Sequence, residues 1–428
     1  MSILGFIGSL FGLIATSIPV GIVLLFAGIL LSLFWLPVNI ISVIGITTWE
    51  TATNDLLVAI PLFILMGEIM LHSGSASSMY RALLPWLNRL PGGLMHTNIA
   101  ACTMFAATSG SSVATAATVG TIAFPEIEKN GYNERLFLGT VAAGGTLGTL
   151  IPPSINMIIY GAITQTSIPQ LYLAGFIPGI LLALIFMLAV IICCVFFPSW
   201  GGRKETYGWA ERLGSLPQLL PIFFIFIVVV GSIYAGVATP TEASALGIAA
   251  SLILSAFNGT LSIAMLNKAI EGTMRSTGMI MLLLIGAYFL NFALGMSGFI
   301  EQITDYISGL AMPPLAVLCI IIVFYMALGC VLDGISMIVL TVPVTAPLII
   351  GLGYDPVWFG IILMMVIEAG MITPPIGINC YVVQGLRKSG SPNDVFIGIL
   401  PFLGAIIAMI GLMIAFPQIA LWLPESLQ

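Results

Sequence analysis

The chain has 428 residues, of which 59% are hydrophobic and only 7% charged. That balance excludes a soluble domain of this length and points to a polytopic membrane protein. The net charge of −6 says little by itself, because where the charges lie decides orientation.

Residues 1–73 are expected to supply scaffold helices. Residues 5–37 hold one long helix, or an interfacial piece followed by a crossing. No cleavage pattern stands out in the apolar start, which is read as retained membrane helix. Residues 54–72 form a crossing. Residues 74–92 are amphipathic, with Arg81 and Arg89 on a polar face, and are expected to lie along the interface as an arm. Residues 93–198 form the first half of a transport domain: a hairpin at 93–125, a broken helix at 134–163 and a helix at 170–198. Each arm of the hairpin is short for a span, so it is read as re-entrant. Residues 199–217 are a polar loop, and 218–298 are scaffold helices, with Lys268 and Arg275 placed in a loop before the last of them. Residues 299–313 form a second amphipathic arm. The second half of the transport domain follows at 314–417, with a hairpin at 314–352, a broken helix at 356–386 and a helix at 394–417. The six cysteines lie in apolar runs without metal-ligand spacing and are read as buried thiols.

Two stretches organise this pattern. Leu-Gly-Thr-Leu-Ile-Pro-Pro-Ser-Ile-Asn (147–156) and Met-Ile-Thr-Pro-Pro-Ile-Gly-Ile-Asn-Cys (371–380) are apolar around a Pro-Pro pair that no helix can pass intact. In lipid such a break survives only where protein or a polar cavity covers it. Pro125 and Pro347, Gly131 and Gly353, and Pro152 and Pro374 share an offset of 222, and Asn156 and Asn379 an offset of 223. The chain is therefore read as an internal repeat. Placing the Arg81 arm in the cytoplasm and counting crossings puts all eleven Lys and Arg residues inside, as the positive-inside rule asks. The two hairpins then open to opposite sides, so the repeats are inverted. The C-terminus falls in the periplasm. The fold class expected is all-α and polytopic, with two inverted repeats, each carrying a re-entrant helical hairpin and a broken helix. That is the architecture of a secondary transporter with a midplane site.

The hairpin tips are Ala-Thr-Ser-Gly-Ser-Ser-Val-Ala-Thr (107–115) and Ala-Leu-Gly-Cys-Val-Leu-Asp-Gly-Ile-Ser (327–336). Hydroxyls, amides and unwound carbonyls are hard oxygen ligands suited to Na⁺. Half-helix N-termini suit a carboxylate, and every Lys and Arg is assigned to a loop. An anionic substrate must then be held by helix ends and co-bound cations. Asp333, the acid in a tip, is read as a cation ligand, with a helix cap as the alternative. Asn156 and Asn379 are read as ligands, caps or both. Glu368 either bonds a neighbouring helix or has a functional role. Glu68 and Glu242 are placed at scaffold helix ends. No Walker A sequence or His-Glu-x-x-His is present. Ala-Thr-Ser-Gly (107–110) bears a faint likeness to an intramembrane serine protease, without a later helix bearing histidine.

Together the 107–115 tip, Gly-Thr-Leu-Ile-Pro-Pro-Ser-Ile (148–155) and Ile-Thr-Pro-Pro-Ile-Gly-Ile-Asn (372–379) resemble the large membrane subunit of tripartite ATP-independent periplasmic (TRAP) transporters, the DctM type. The resemblance spans essentially the whole chain. It implies an elevator mechanism driven by a Na⁺ gradient in a bacterial inner membrane. It also implies two partners, a small four-helix membrane subunit and a periplasmic substrate-binding protein. The substrate it implies is an organic acid: sialic acid first, then C4-dicarboxylates and keto acids. Carried over, one Na⁺ site uses Gly110, Ser111, Gly148 and Asn156, and the other uses Gly329, Asp333, Gly370, Thr373 and Asn379. Substrate lies near Ser109, Ser112 and Thr115. The alternatives are an ion-coupled symporter or exchanger that needs no binding protein, and a membrane-embedded hydrolase.

Overall fold

The structure is a computed structural model describing residues 8, 12, 13, 18–35, 40–203, 206–298, 302, 312–387 and 390–427. Among these the elements are helices and no strand forms. The scaffold helices are α1 (Val20–Trp35), α2 (Ile40–Thr53) and α3 (Asp55–His72), followed by the arm α4 (Ser75–Leu87). The first hairpin is α5 (Leu94–Ser109) and α6 (Ser112–Ala123), and a short α7 (Pro125–Asn130) follows. The first broken helix is α8 (Glu134–Thr146), a 3-10 turn (Leu147–Thr149) and α9 (Ile155–Thr164), and α10 (Ile168–Phe196) crosses back. A short α11 (Trp209–Ser215) precedes α12 (Leu220–Phe226), which runs through a π turn into α13 (Ser232–Tyr234). Then come α14 (Pro240–Phe257) and α15 (Ile263–Met296). The second hairpin is α16 (Pro314–Gly329) and α17 (Gly334–Gly351), the second broken helix α18 (Pro356–Ile372) and α19 (Ile378–Gly385), and the chain closes with α20 (Pro392–Ala415) and α21 (Gln418–Ser426). Six of the described helices, α3, α10, α14, α15, α17 and α20, are long and apolar enough to cross a membrane.

The repeat is visible in its turn chemistry. Gly131 and Gly353 both take positive φ, 66° and 91°, a conformation that a Cβ disfavours. Two residues on, Asn133 caps α8 by accepting from Leu136 N at 3.0 Å, and Asp355 caps α18 by accepting from Trp358 N at 2.9 Å. Ser111 caps α6 and Asp333 caps α17 at the same repeat position. Both Pro-Pro bonds are cis. Packing between the halves is exchanged: α9 lies on α17 while α19 lies on α6, and α8 lies on α20 while α18 lies on α10. Neither half is a separate body. The scaffold packs α3 on α14 and α15, and α1 on α15.

The α8–α20 contact is backbone on backbone. A Cβ built on Gly398 would lie 1.8 Å from the Arg135 carbonyl oxygen. Gly398→Ala is therefore expected to force the two helices apart and destabilise the chain by about 1–3 kcal/mol. Thermal unfolding in detergent checks it, and an unchanged midpoint contradicts it.

Contacts gather the nine described Lys and Arg residues on one side. Arg203 N donates to the Asn130 carbonyl at 2.9 Å, joining the loop after α10 to that after α7, which holds Lys129. Arg135 pairs with Asp394 at 2.9 Å, and Arg387 pairs with Glu134. Arg212 Nε donates to the Pro85 carbonyl at 3.0 Å, which fastens α11 to the arm carrying Arg81 beside Arg89. The Glu68 carboxylate, near the end of α3, packs against Gly272 between Lys268 and Arg275. The opposite side holds the starts of α3 and α14, joined by Thr241 Oγ1 and the Asp55 carbonyl at 2.7 Å. It also holds the C-terminal end of α20, where the Met413 carbonyl accepts from Trp358 Nε1 at 3.1 Å.

Four differences from the sequence reading have physical causes. Lys268 and Arg275 lie in α15 and not in a loop: its 34 residues reach roughly 51 Å at 1.5 Å per residue, so one end outruns the bilayer. The polar linker contains α11, held by Arg212 and by Trp86 Nε1 donating to Ser215 Oγ at 3.2 Å. Residues 40–53, placed in the scaffold from sequence without a helix of their own, form α2. Residues 418–426, also unassigned, form α21, which packs on α10. Most of the arm expected at 299–313 and the first part of the expected N-terminal helix fall outside the described residues.

Candidate functional site: a chamber between the tips

A cavity of about 480 Å³ lies where the two tips, the first break and the scaffold meet, a size suited to a small organic ligand. The first tip supplies Ser109, Gly110, Ser111 and Ser112, the first break Thr149 and Asn156, the second tip Asp333, and the scaffold wall Glu68 and Ser276. Among the described residues, Glu68 and Asp333 are the charged groups lining it, and no Lys, Arg or His does.

The first tip turns at Gly110, whose φ of 58° and close approach to the Pro153 carbonyl both require glycine. A Cβ there would stand 2.9 Å from that oxygen. Gly148 meets the Ser111–Ser112 backbone in the same way, so tip and break form one unit. The residues expected near substrate divide. Ser109 and Ser112 line the chamber, while Thr115 is fully buried behind it with its hydroxyl 2.9 Å from Ser109 Oγ. The Ser109 hydroxyl thus meets a hydroxyl and not a histidine base. Asn156 lies inside α9, whose cap position is Ser154, so it does not cap. Ser154 Oγ donates to the Thr149 carbonyl at 2.6 Å, and α9 begins without a side-chain cap.

In the second tip, Asp333 Oδ2 accepts from Ile335 N at 3.1 Å and Ser336 N at 3.2 Å, and Oδ1 accepts from Ser336 Oγ. The cap reading is therefore realised, and the carboxylate still faces the chamber. Gly329 and Gly370 touch along their backbones: a Cβ on Gly329 would lie 2.6 Å from Gly370 Cα. Thr373 Oγ1 donates to the Ala369 carbonyl at 2.6 Å. Asn379 is fully buried and follows Gly377, the cap position of α19, so it too does not cap. Its Nδ2 donates to the Ala142 carbonyl at 3.3 Å, leaving Oδ1 buried without a protein partner.

The two breaks differ. Residues 152–154 are buried, whereas 374–376 are exposed, and past α18 the second break adds nothing to the chamber. Gly148, Gly329, Gly370, Thr373 and Asn379 do not line the chamber. Sequence reasoning missed the scaffold wall. Glu242 does sit at a helix start, in a capping box with Thr239. Glu68 lies one turn before the end of α3, paired with His72 at 3.4 Å, and also lines the chamber. An acid within an apolar span was the available signal.

Fold and chamber define an all-helical membrane transporter of two repeats, each with a hairpin and a broken helix. Residues 7–419 match the family described as "Tripartite ATP-independent periplasmic transporter, DctM component", and the chain belongs to that family. It is 30% identical to "C4-dicarboxylate TRAP transporter large permease protein DctM" of Vibrio cholerae, covering 97% of this chain and 96% of that one. It is 33% identical to "Ectoine/5-hydroxyectoine TRAP transporter large permease protein UehC" of Ruegeria pomeroyi, covering 86% of each. It is 29% identical to "Sialic acid TRAP transporter large permease protein SiaM" of Vibrio cholerae, covering 98% of each. Among solved structures, the YdaH transporter of Alcanivorax borkumensis superposes with a TM-score of 0.62 over 87% of this chain and 89% of that one. At 14% identity that likeness concerns the fold alone.

Proposed function

We propose that this large TRAP subunit carries an organic acid into the cell, driven by a Na⁺ gradient, with the tips and breaks moving as one body past the scaffold. The carrying observation is the chamber itself: hydroxyls, an amide, the tip carboxylate of Asp333 and the scaffold carboxylate of Glu68, with no Lys or Arg among the described residues that line it. An acid entering such a place needs mobile cations beside it, because an uncompensated buried charge costs several kcal/mol. The oxygen set fits sodium. Asn379 tests that fit: its Nδ2 faces a carbonyl, which turns the unpartnered Oδ1 toward a missing donor or cation. Ser111, Asn156, Asp333 and Asn379 are the side chains that would hold the ions, with Asn156 beside Gly334 of the second tip and the helix of Asn379 packed on α6 of the first hairpin, and with carbonyls near Gly110, Gly148, Gly329, Gly370 and Thr373. Exchanged packing between the halves makes the tips and breaks a single body, which favours an elevator stroke.

With the basic side in the cytoplasm of a bacterial inner membrane, the chamber's scaffold wall comes from the cytoplasmic ends of α3 and α15, and the C-terminal helix is periplasmic. The partners are a small membrane subunit and a periplasmic binding protein. The relatives' names span C4-dicarboxylates, ectoine and sialic acid, so sialic acid stands as one of three substrates to try. The test is uptake of each candidate into proteoliposomes holding this chain, the small subunit and a loaded binding protein. An inward Na⁺ gradient is expected to raise the rate at least about tenfold, a difference of about 1.4 kcal/mol. Equal rates with and without the gradient remove the coupling. Uptake by this chain alone would favour a carrier that needs no binding protein.

A further inference from the structure

Glu368 lies two residues before Gly370 on α18 and is wholly buried. Its Oε1 accepts from Thr149 Oγ1 at 2.6 Å, across 219 positions of sequence. Its Oε2 is buried with no protein partner. Each end of this bond sits at a node of one repeat. Thr149 closes the turn before the first Pro-Pro pair, its carbonyl accepts from Ser154 Oγ, and its neighbour Gly148 rests on the first tip. Beyond Glu368, Gly370 rests backbone to backbone on Gly329 of the second tip. A second cross-repeat bond, from Asn379 to the Ala142 carbonyl, ties α19 to α8 above the break and does not reach the turn.

We infer that Glu368 is a positioning residue that joins the first broken helix to the second through Thr149, so that the two halves of the site respond to cations as one. This rests on the sodium reading of the chamber. The physical reason is geometric. Glu368 is fully buried and Thr149 Oγ1 is its one protein partner, the same hydroxyl reaching the Thr146 carbonyl at 3.2 Å within its own turn, so a shift of either turn must move the other or leave the carboxyl without a protein partner. Coupling of this kind between two sites commonly alters affinity 5–150-fold.

The experiment follows the unfolding midpoint of the purified full chain in lipid nanodiscs as Na⁺ replaces choline at constant ionic strength. Wild type is expected to show a sigmoidal rise with a Hill coefficient above 1. Glu368→Ala and Thr149→Val should each raise the half-saturating Na⁺ concentration about tenfold and bring the Hill coefficient to 1. The double variant should be no worse than either single one, because both remove the same bond. Glu368→Gln and Thr149→Ser keep an acceptor and a donor in place, and each should stay within about twofold of wild type. The Thr149 pair also carries the test if Glu368→Ala does not fold. The inference is overturned if Thr149→Val leaves cooperativity intact, or if Glu368→Gln is as damaging as Glu368→Ala, since the charge and not the joint would then matter. A wild type that does not respond to Na⁺ at all removes the sodium reading and the coupling with it. A response in wild type that none of the variants alters removes the coupling alone.

Discussion

Asp333→Asn is expected to raise the sodium concentration for half-maximal uptake by roughly 10–100-fold while leaving the fold nearly as stable in sodium-free buffer. The two expectations come from separate jobs of one side chain. As the cap of α17, Asp333 accepts from Ile335 N and Ser336 N, and asparagine caps a helix about as well as aspartate. As part of the chamber wall it presents the tip's charge to any bound cation, and contacts to a charged group are worth about 1.5–3 kcal/mol. Asp333→Ala removes both roles and should also lower the stability, by about 1 kcal/mol for the cap. Sodium titration of uptake, paired with sodium-free unfolding, separates the two. If Asp333→Asn transports with unaltered sodium dependence, the residue is a cap and nothing more.

Gly370→Ala should abolish transport. The added methyl would lie 2.7 Å from Gly329 Cα, against backbone on both sides. No side chain there can swing away, so α16 must move off α18 and carry the second tip with it. The expected destabilisation is about 1–3 kcal/mol, with a larger functional loss because the tip's carbonyls leave their places. Gly404→Ala is the control: it lies on an exposed part of α20 with nothing within 4 Å. A helical alanine there should stabilise slightly, by up to about 1 kcal/mol. If Gly370→Ala transports like Gly404→Ala, the close approach has no functional weight.

The parts of the fold legible in sequence were those marked by residues with few backbone options. The Pro-Pro pairs and Gly131 with Gly353 announced breaks and turns, and the structure places each where the repeat requires it, while the caps Asn133 and Asp355 two residues on emerge from the structure. Ser109, Ser112, Asn156 and Asp333, which line the chamber, were singled out for the same reason, since they stand beside breakers. Elements whose limits depend on tertiary packing were hidden. Between Ile263 and Met296 no proline marks where α15 leaves the bilayer, so its basic turns read as a loop. The linker helix α11 exists because Arg212 and Ser215 dock on α4. Capping by Asn156 and Asn379 looked reasonable from position, but each lies two residues past the cap position of its helix. The bond from Thr149 to Glu368 joins positions with no common pattern, and only the folded chain brings them together.

The exchange of partners between the two halves also bears on how the chain is made and how it arose. The faces of α6 and α9 that α19 and α17 cover stay open until those helices have left the ribosome. The first half must therefore wait in the membrane, half-assembled, while the second is translated. Split at the 199–217 linker, the fragments are expected to accumulate only when produced together. An ancestor bearing one copy would have met the same need by pairing with a second molecule in the opposite orientation.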